Sequence, residues 1–493
     1  MNSKVILMFI SVIFSLFLSY IHAEAEELPG VSVTNHTITL NKKPLNYTAT
    51  AGHMIMKDEA GKPQASIFFI AYTKEPKSDL SARPITFVFN GGPGSSSVWL
   101  HMGALGPKRV KMEDEGFQLP QPYQCIDNES TWLEFTDLVF IDPVGTGYSR
   151  AAAGVEPKTF HGLNEDIQSV GDFIRLYVTR NNRWLSPKYL CGESYGTTRA
   201  AGLSGYLQTT HGMNLQGIVL LSSVLNFQYD HFAPGNDYPP ILYLPTYTAA
   251  AWYHKKLPEK YLGDLKATLN EVKQWAVTDY MLALAKGDRL PPEEREMIID
   301  KLSQYTGLSK KYIDKHNLRI NIYSFVQELL GDEKQRVGRL DSRFKAYAGG
   351  EANEIMTDDP SYSAIFAPNT SVIYHYLRND LKYANDIPYF ILSHIPSWNW
   401  GTDNQYANVA ETLRDAIEKN VHLKVMICNG YYDLATPFFA TEYTVNHMGL
   451  PPFLAKNISM KYFEAGHMMY IRKPCLQQLR QDAEAFYTQA AAK

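Results

Sequence analysis

The chain has 493 residues, 45% of them hydrophobic and 20% charged, with 32 Gly and 27 Pro, which is ordinary globular composition and excludes a disordered or collagen-like chain. A formal net charge of -4 and the lack of any long basic block argue against nucleic acid as a partner. The aromatic content of 13%, with 32 Tyr, therefore reads as packing and pocket lining, not as a base-stacking platform.

At the N-terminus, Lys4 precedes an apolar run from Val5 to about Tyr20, followed by Ala23-x-Ala25. This pattern predicts an export signal over residues 1–25, cut after Ala25, with an uncleaved anchor as the alternative. No later apolar run is as long as a membrane span, so a secreted or periplasmic protein without stable membrane association is expected. Export permits disulfides among Cys125, Cys191, Cys428 and Cys475, for which three pairings are open. Cys191 and Cys428 each end a strand-like run and read equally well as buried free thiols. Sequons stand at Asn35, Asn46, Asn128, Asn369 and Asn457 and matter only in a host that glycosylates.

The alternation in "VSVTNHTITL" (31–40) predicts a strand, as does "ASIFFIAYT" (65–73). "PITFVFNGGPGSSS" (84–97) and "TDLVFIDPVGTGYS" (136–149) are short apolar runs that stop at Gly/Pro loops, the signature of buried central strands ending at a functional edge. A helical stretch at about 163–181 precedes "KYLCGESYG", and a strand, "LQGIVLLSSVL", begins at Leu215. Such alternation predicts an α/β fold with a mostly parallel central sheet flanked by helices. Residues 229–414 change character, first Pro- and Tyr-rich and then helical with few strand signals, until "LKVMICNGYYD" (423–433) resumes the sheet pattern. The expected organisation is therefore a core in two parts, 26–228 and 415–493, with 229–414 as a mostly helical insertion over the functional edge.

"YLCGESYGTTRAAG" (189–202) sets Ser194 between Gly192 and Gly196, after an apolar run and before a small-residue helix. This predicts a nucleophile elbow, whose serine needs a base, an acid to orient the base, and an oxyanion hole. Asp433 and His467 each follow a later strand-like run, giving the order Ser, Asp, His used by α/β-hydrolase triads. One oxyanion donor is expected from the N–H of Tyr195 and the other from the glycine loop "FNGGPGSSS", which lacks the Gly-Lys-Ser/Thr of a phosphate cradle. No metal or organic cofactor is called for.

Taken together, "NGGPGSSS" (90–97), Gly106-Pro107, "IDPVGTGYS" (141–149), "GESYG" (192–196), "NGYYD" (429–433) and "AGHM" (465–468) resemble the serine carboxypeptidase family. The resemblance implies an α/β-hydrolase core with a helical insertion and a Ser194–His467–Asp433 triad. It implies an oxyanion hole from the N–H groups of Gly92 and Tyr195. Asn90, Gly91 and Glu193 would hold the terminal carboxylate of a peptide, with Met468 beside the leaving residue. A carboxyl group binds a carboxylate only when one of the two is protonated, so Glu193 in that role predicts better peptide cleavage at mildly acidic pH.

The departures are specific. Val88 stands where the family usually has Trp, Ala104 where it has Glu, and Ser95 where it has Cys, so half of the carboxylate clamp is missing. Lys108, Arg109 and Lys111 follow closely and read as solvated charges or as a replacement grip. The expected activity is that of a secreted serine carboxypeptidase acting on a peptide with a free C-terminus, with apolar insertion side chains selecting the residue. The alternatives are an esterase, an acyltransferase or a less end-selective peptidase on the same triad, and a non-catalytic binding or chaperone-like protein.

Overall fold

The computed structural model describes residues 30–75, 79–348 and 359–491; the export signal expected over 1–25 lies outside them. A ten-stranded sheet organises the chain. Its strands are β1 (Ser32–Leu40), β2 (Lys43–Lys57), β3 (Pro63–Glu75), β4 (Ile85–Phe89), β5 (Asp137–Ile141), β6 (Lys188–Ser194), β7 (Gly217–Ser223), β8 (Lys424–Gly430) and β9 (Ile458–Phe463). They lie in the order β1-β2-β3-β5-β4-β6-β7-β8-β9, and a two-residue strand, Arg150–Ala151, also pairs with β3. The pairings as far as β3–β5 are antiparallel, and every pairing from β5–β4 onward is parallel. The mostly parallel sheet expected from the sequence is thus present, widened by an antiparallel ribbon at one edge.

Every residue of β4, β5 and β7 is buried, as strands covered on both faces must be. Alternate side chains go to opposite layers. Val88, Val219 and Leu221 face the layer that holds the C-terminal helix, while Phe87, Phe89, Ile218 and Leu220 face the other. That second layer holds helices α1 (Leu163–Arg180), α2 (Tyr195–His211) and α7 (Ala410–Lys419). The C-terminal helix, α8 (Lys473–Ala491), seats Tyr487 against Tyr189, ring centroids 4.1 Å apart, and joins its hydroxyl to Thr86 Oγ1 at 2.6 Å.

Between β7 and β8 the described residues contain no strand of the main sheet. Helices α3 (Tyr238–Tyr253), α4 (Leu265–Trp275) and α5 (Pro292–Thr306) close around an apolar core that includes Leu244, Tyr247, Leu302 and Phe325 and is shared with Tyr432 and Phe438 beyond β8. A short hairpin (Gln335–Val337 with Lys345–Tyr347) and α6 (Pro360–His375) follow. The chain then runs back over the loops at the sheet's C-terminal edge, bridging Ser95 to Leu392 and Gly147 to Phe390.

All four cysteines are free thiols, and Cys191, Cys428 and Cys475 are buried. Of the sequons, Asn128, Asn369 and Asn457 are buried, whereas Asn35 and Asn46 are exposed on β1 and β2. No helix among the described residues is long and apolar enough to cross a membrane.

β4 has β5 on one side and β6 on the other, so the chain reverses direction of travel across the sheet there. In open α/β sheets the crevice beyond such a switch point is where ligands bind. The loops that leave β4, β6, β8 and β9 carry the residues singled out in the sequence.

Candidate active site

Ser194 ends β6 with φ 60° and ψ -130°, a conformation that costs a side-chain-bearing residue about 1–3 kcal/mol. The flanking glycines are required by contact. A Cβ at Gly192 would lie 2.1 Å from the Gly196 carbonyl oxygen, and one at Gly196 would lie 2.8 Å from that of Phe89. A Cβ on Gly91 would come within 2.5 Å of the Tyr195 nitrogen. The glycine loop and the serine turn therefore meet backbone to backbone. Tyr195 opens α2, where the first N–H groups have no intrahelical acceptor.

His467 and Asp433, from the loops after β9 and β8, form a buried pair with Nδ1 and Oδ2 2.8 Å apart. The remaining contacts fix both residues. Asp433 Oδ1 accepts from the N–H groups of Ala435 (2.8 Å) and Thr436 (3.0 Å), and Oδ2 accepts from the Thr436 hydroxyl at 2.6 Å. The His467 N–H donates to the Leu340 carbonyl at 2.7 Å, and its own carbonyl accepts from Ser222 Oγ at 2.6 Å. Ser222 reaches it from a bulge in β7, with φ 51°. Burial disfavours the charged imidazole, but the Asp433 charge and hydrogen bond, helped by Glu193, outweigh burial and raise the His467 pKa above its ordinary value.

One cavity of about 450 Å³ gathers Asn90, Gly91, Gly92, Glu193, Ser194, Tyr195, His467 and Met468, while Asp433 lies fully buried behind the imidazole. Asn90 is oriented by the Leu100 N–H, 3.0 Å from its Oδ1, and donates through Nδ2 to Glu193 Oε1 at 2.8 Å. Glu193 Oε2 is buried and makes no well-formed hydrogen bond among the described residues, although the Tyr470 hydroxyl stands close enough to act on it. Burial pushes the Glu193 carboxyl up to about 7, with His467, the Tyr470 hydroxyl and the Asn90 bond pulling against it.

Beneath the loop lies a buried ion pair that sequence reading missed. Arg199 Nε meets Asp166 Oδ2 at 2.7 Å, and its Nη1 donates to the Asn90 carbonyl at 2.6 Å. The Tyr195 hydroxyl also donates to Asp166, at 3.0 Å. Asp166→Ala strands a guanidinium that is 1% exposed, and is expected to lower the unfolding free energy in urea by about 3–5 kcal/mol.

The departures from the family pattern are internal. Val88 and Ala104 are both 0% exposed, and neither lines the cavity. Trp99 lines it instead, with Nε1 donating to Ser95 Oγ at 3.0 Å. Lys108 pairs with Asp127 and Arg109 with Glu129, while Lys111 donates to Gln124. None of the three is in the lining of the catalytic cavity, although Arg109 lines a smaller adjoining cavity that shares Trp99 and Met468 with it.

The insertion contributes a turn, 338–343, that sequence reading passed over. Asp341 Oδ2 accepts from the Gly466 N–H at 3.0 Å and is held by Arg343 Nη2 at 2.6 Å. The Leu434 N–H donates to the Arg339 carbonyl at 3.1 Å, and the Ser342 N–H to that of Tyr432 at 3.0 Å. The turn therefore grips the loops of both Asp433 and His467.

A strained serine at a strand-to-helix turn, a buried Asp–His pair from the loops after two later strands, and a mostly parallel sheet between helices together define an α/β-hydrolase. The profile of the serine carboxypeptidase family matches residues 40–473, and this chain belongs to that family. "Serine carboxypeptidase-like 3" of Arabidopsis thaliana is 25% identical over 196 residues, 38% of this chain and 42% of that protein. "Pheromone-processing carboxypeptidase KEX1" of Yarrowia lipolytica is 29% identical over 178 residues, 36% of this chain and 26% of that protein. The matched stretches thus span less than half of either relative. The crystal structure of the KEX1 prohormone-processing carboxypeptidase from Saccharomyces cerevisiae shares the fold, with a TM-score of 0.57 over 90% of this chain and 91% of that one, at 16% identity.

Proposed function

We propose that this protein is an exported serine carboxypeptidase that opens the C-terminal peptide bond of its substrate through an acyl-enzyme on Ser194. The observation that carries this reading is the cavity itself. It combines the strained serine and the Asp433-backed imidazole with a carboxyl group whose second oxygen makes no well-formed hydrogen bond. His467 Nε2 takes the Ser194 proton as Oγ attacks the scissile carbonyl. The N–H groups of Gly92 and Tyr195 receive the oxyanion, and the imidazolium returns the proton to the leaving amine. Water, activated by the same imidazole, then releases the acyl group.

Asn90, Gly91 and Glu193 hold the terminal carboxylate, and Met468 packs beside the leaving residue. When protonated, Glu193 is a hydroxyl donor and the substrate carboxylate is the acceptor it lacks. Because the Glu193 carboxyl titrates at about 7, this state fills as pH falls through neutrality. kcat/KM for a free-acid peptide is therefore expected to drop about tenfold per pH unit above neutrality. Glu193→Gln, which donates at every pH, is expected to lose that alkaline limb. A pH series on an N-blocked dipeptide and its C-terminal amide tests this; equal limbs for acid and amide, or an unchanged limb in the variant, sink the role given to Glu193.

The burial of Val88 and Ala104 favours a second reading, in which the triad serves an esterase, an acyltransferase or a less end-selective peptidase. Mass spectrometry of an N-blocked peptide beside Ser194→Ala separates the two. Stepwise loss of C-terminal residues supports the first, and an untouched or internally cut peptide the second.

A further inference from the structure

Arg339 is the one lysine or arginine that lines the catalytic cavity among the described residues. Its main chain is fixed, with the N–H on Asp359 Oδ2 at 3.1 Å and the carbonyl on the Leu434 N–H. The residue is half-buried, and its side chain makes no ion pair or hydrogen bond among the described residues. Three of the buried arginines differ in this respect: Arg183, Arg199 and Arg343 each bond a carboxylate, from Asp137, Asp166 and Asp341. A half-exposed guanidinium that no carboxylate has claimed keeps its five donors available to a ligand in the cavity.

The surroundings of Arg339 separate it from the Glu193 end. Its charge acts on Asp230, on Tyr243 and on His467. The groups acting on Glu193 are His467, Tyr470, Asn90 and Asp433. Glu193 and Arg339 line one cavity and both act on His467, so a peptide with its terminal carboxylate at Glu193 can set its acyl part beside Arg339. Phe232 and Tyr243 pack there with ring centroids 5.1 Å apart, and the Tyr243 hydroxyl donates to Asp230 Oδ1 at 3.3 Å. Asp230 stands too far from the guanidinium to form an ion pair.

We infer that Arg339 makes this end of the cavity a receptor for a carboxylate side chain, so that the preferred substrate carries Glu or Asp immediately before the scissile bond. The inference rests on the reading of Ser194 as the acyl-accepting nucleophile. A guanidinium grips a carboxylate through two parallel hydrogen bonds, whereas a Lys or Arg side chain in the same place meets a like charge.

The test uses p-nitrophenyl esters of N-blocked Glu, Leu and Lys, which any hydrolase acting through Ser194 opens. Wild type is expected to favour Glu over Lys by at least about tenfold in kcat/KM, Arg339→Gln to level the two, and Arg339→Glu to invert them. Labelling of Ser194 by a fluorophosphonate, with unchanged circular dichroism, shows that each variant is folded; if the charge reversal fails to fold, Arg339→Gln alone decides. The same ranking in wild type and Arg339→Gln overturns the inference, and so does a Lys preference in wild type, which would hand the pocket to Asp230. Opened esters beside untouched peptides refute the carboxypeptidase reading and leave this one standing. A folded wild type that opens no ester removes both.

Discussion

Ser194→Ala is expected to lower kcat about a million-fold, and adding His467→Ala to that variant is expected to change little more. In the proposed mechanism nucleophile and base act as one unit, because the imidazole has no catalytic task once there is no hydroxyl proton to accept. The residual rate belongs to the donors around the oxyanion and to binding, which neither substitution touches. Single-turnover kinetics on one ester substrate, with the two single variants and the double, provide the cycle. Additive losses would mean that the serine and the imidazole do not share a step.

Asp433→Asn is expected to cost about ten thousand-fold in kcat with little change in KM. The carboxylate accepts from the His467 ring at 2.8 Å while also taking two backbone N–H groups and the Thr436 hydroxyl. An amide at that position keeps the shape but must present an NH₂ to some of these donors. It then favours the tautomer with its proton on the nitrogen facing Ser194, which cannot accept. It also removes the charge that holds the His467 pKa up against burial, so the acidic limb of the kcat profile is expected to move to lower pH. Measuring kcat against pH for an ester checks both effects, and a loss below tenfold would put another acid behind His467.

Much of the fold was legible because its signals are local. A continuous apolar run that ends at a Gly/Pro loop identified β4, β5, β6 and β8, and burial of both faces is the reason such runs lack alternation. β2 was missed although its burial alternates along Leu45, Tyr47, Ala49 and Ala51, because small and polar residues hide the period in the letters. Gly192, Ser194 and Gly196 could be read together since the turn that needs them spans five residues. Asp341, Arg339 and Asp230 could not be read, as each gains its meaning from a contact across the insertion. Val88 and Ala104 were legible as departures, yet only packing shows that their side chains belong to the core.

The turn at 338–343 ties substrate choice to catalytic alignment in a single piece of chain. It offers the Arg339 side chain to the cavity while its carbonyls and the Asp341 carboxylate moor the Leu434, Gly466 and His467 amides. A cap transplanted from a relative to change selectivity must therefore bring a compatible version of this turn, or the imidazole loses its anchorage. New specificities in such a scaffold are most accessible through side chains that leave the turn's backbone untouched.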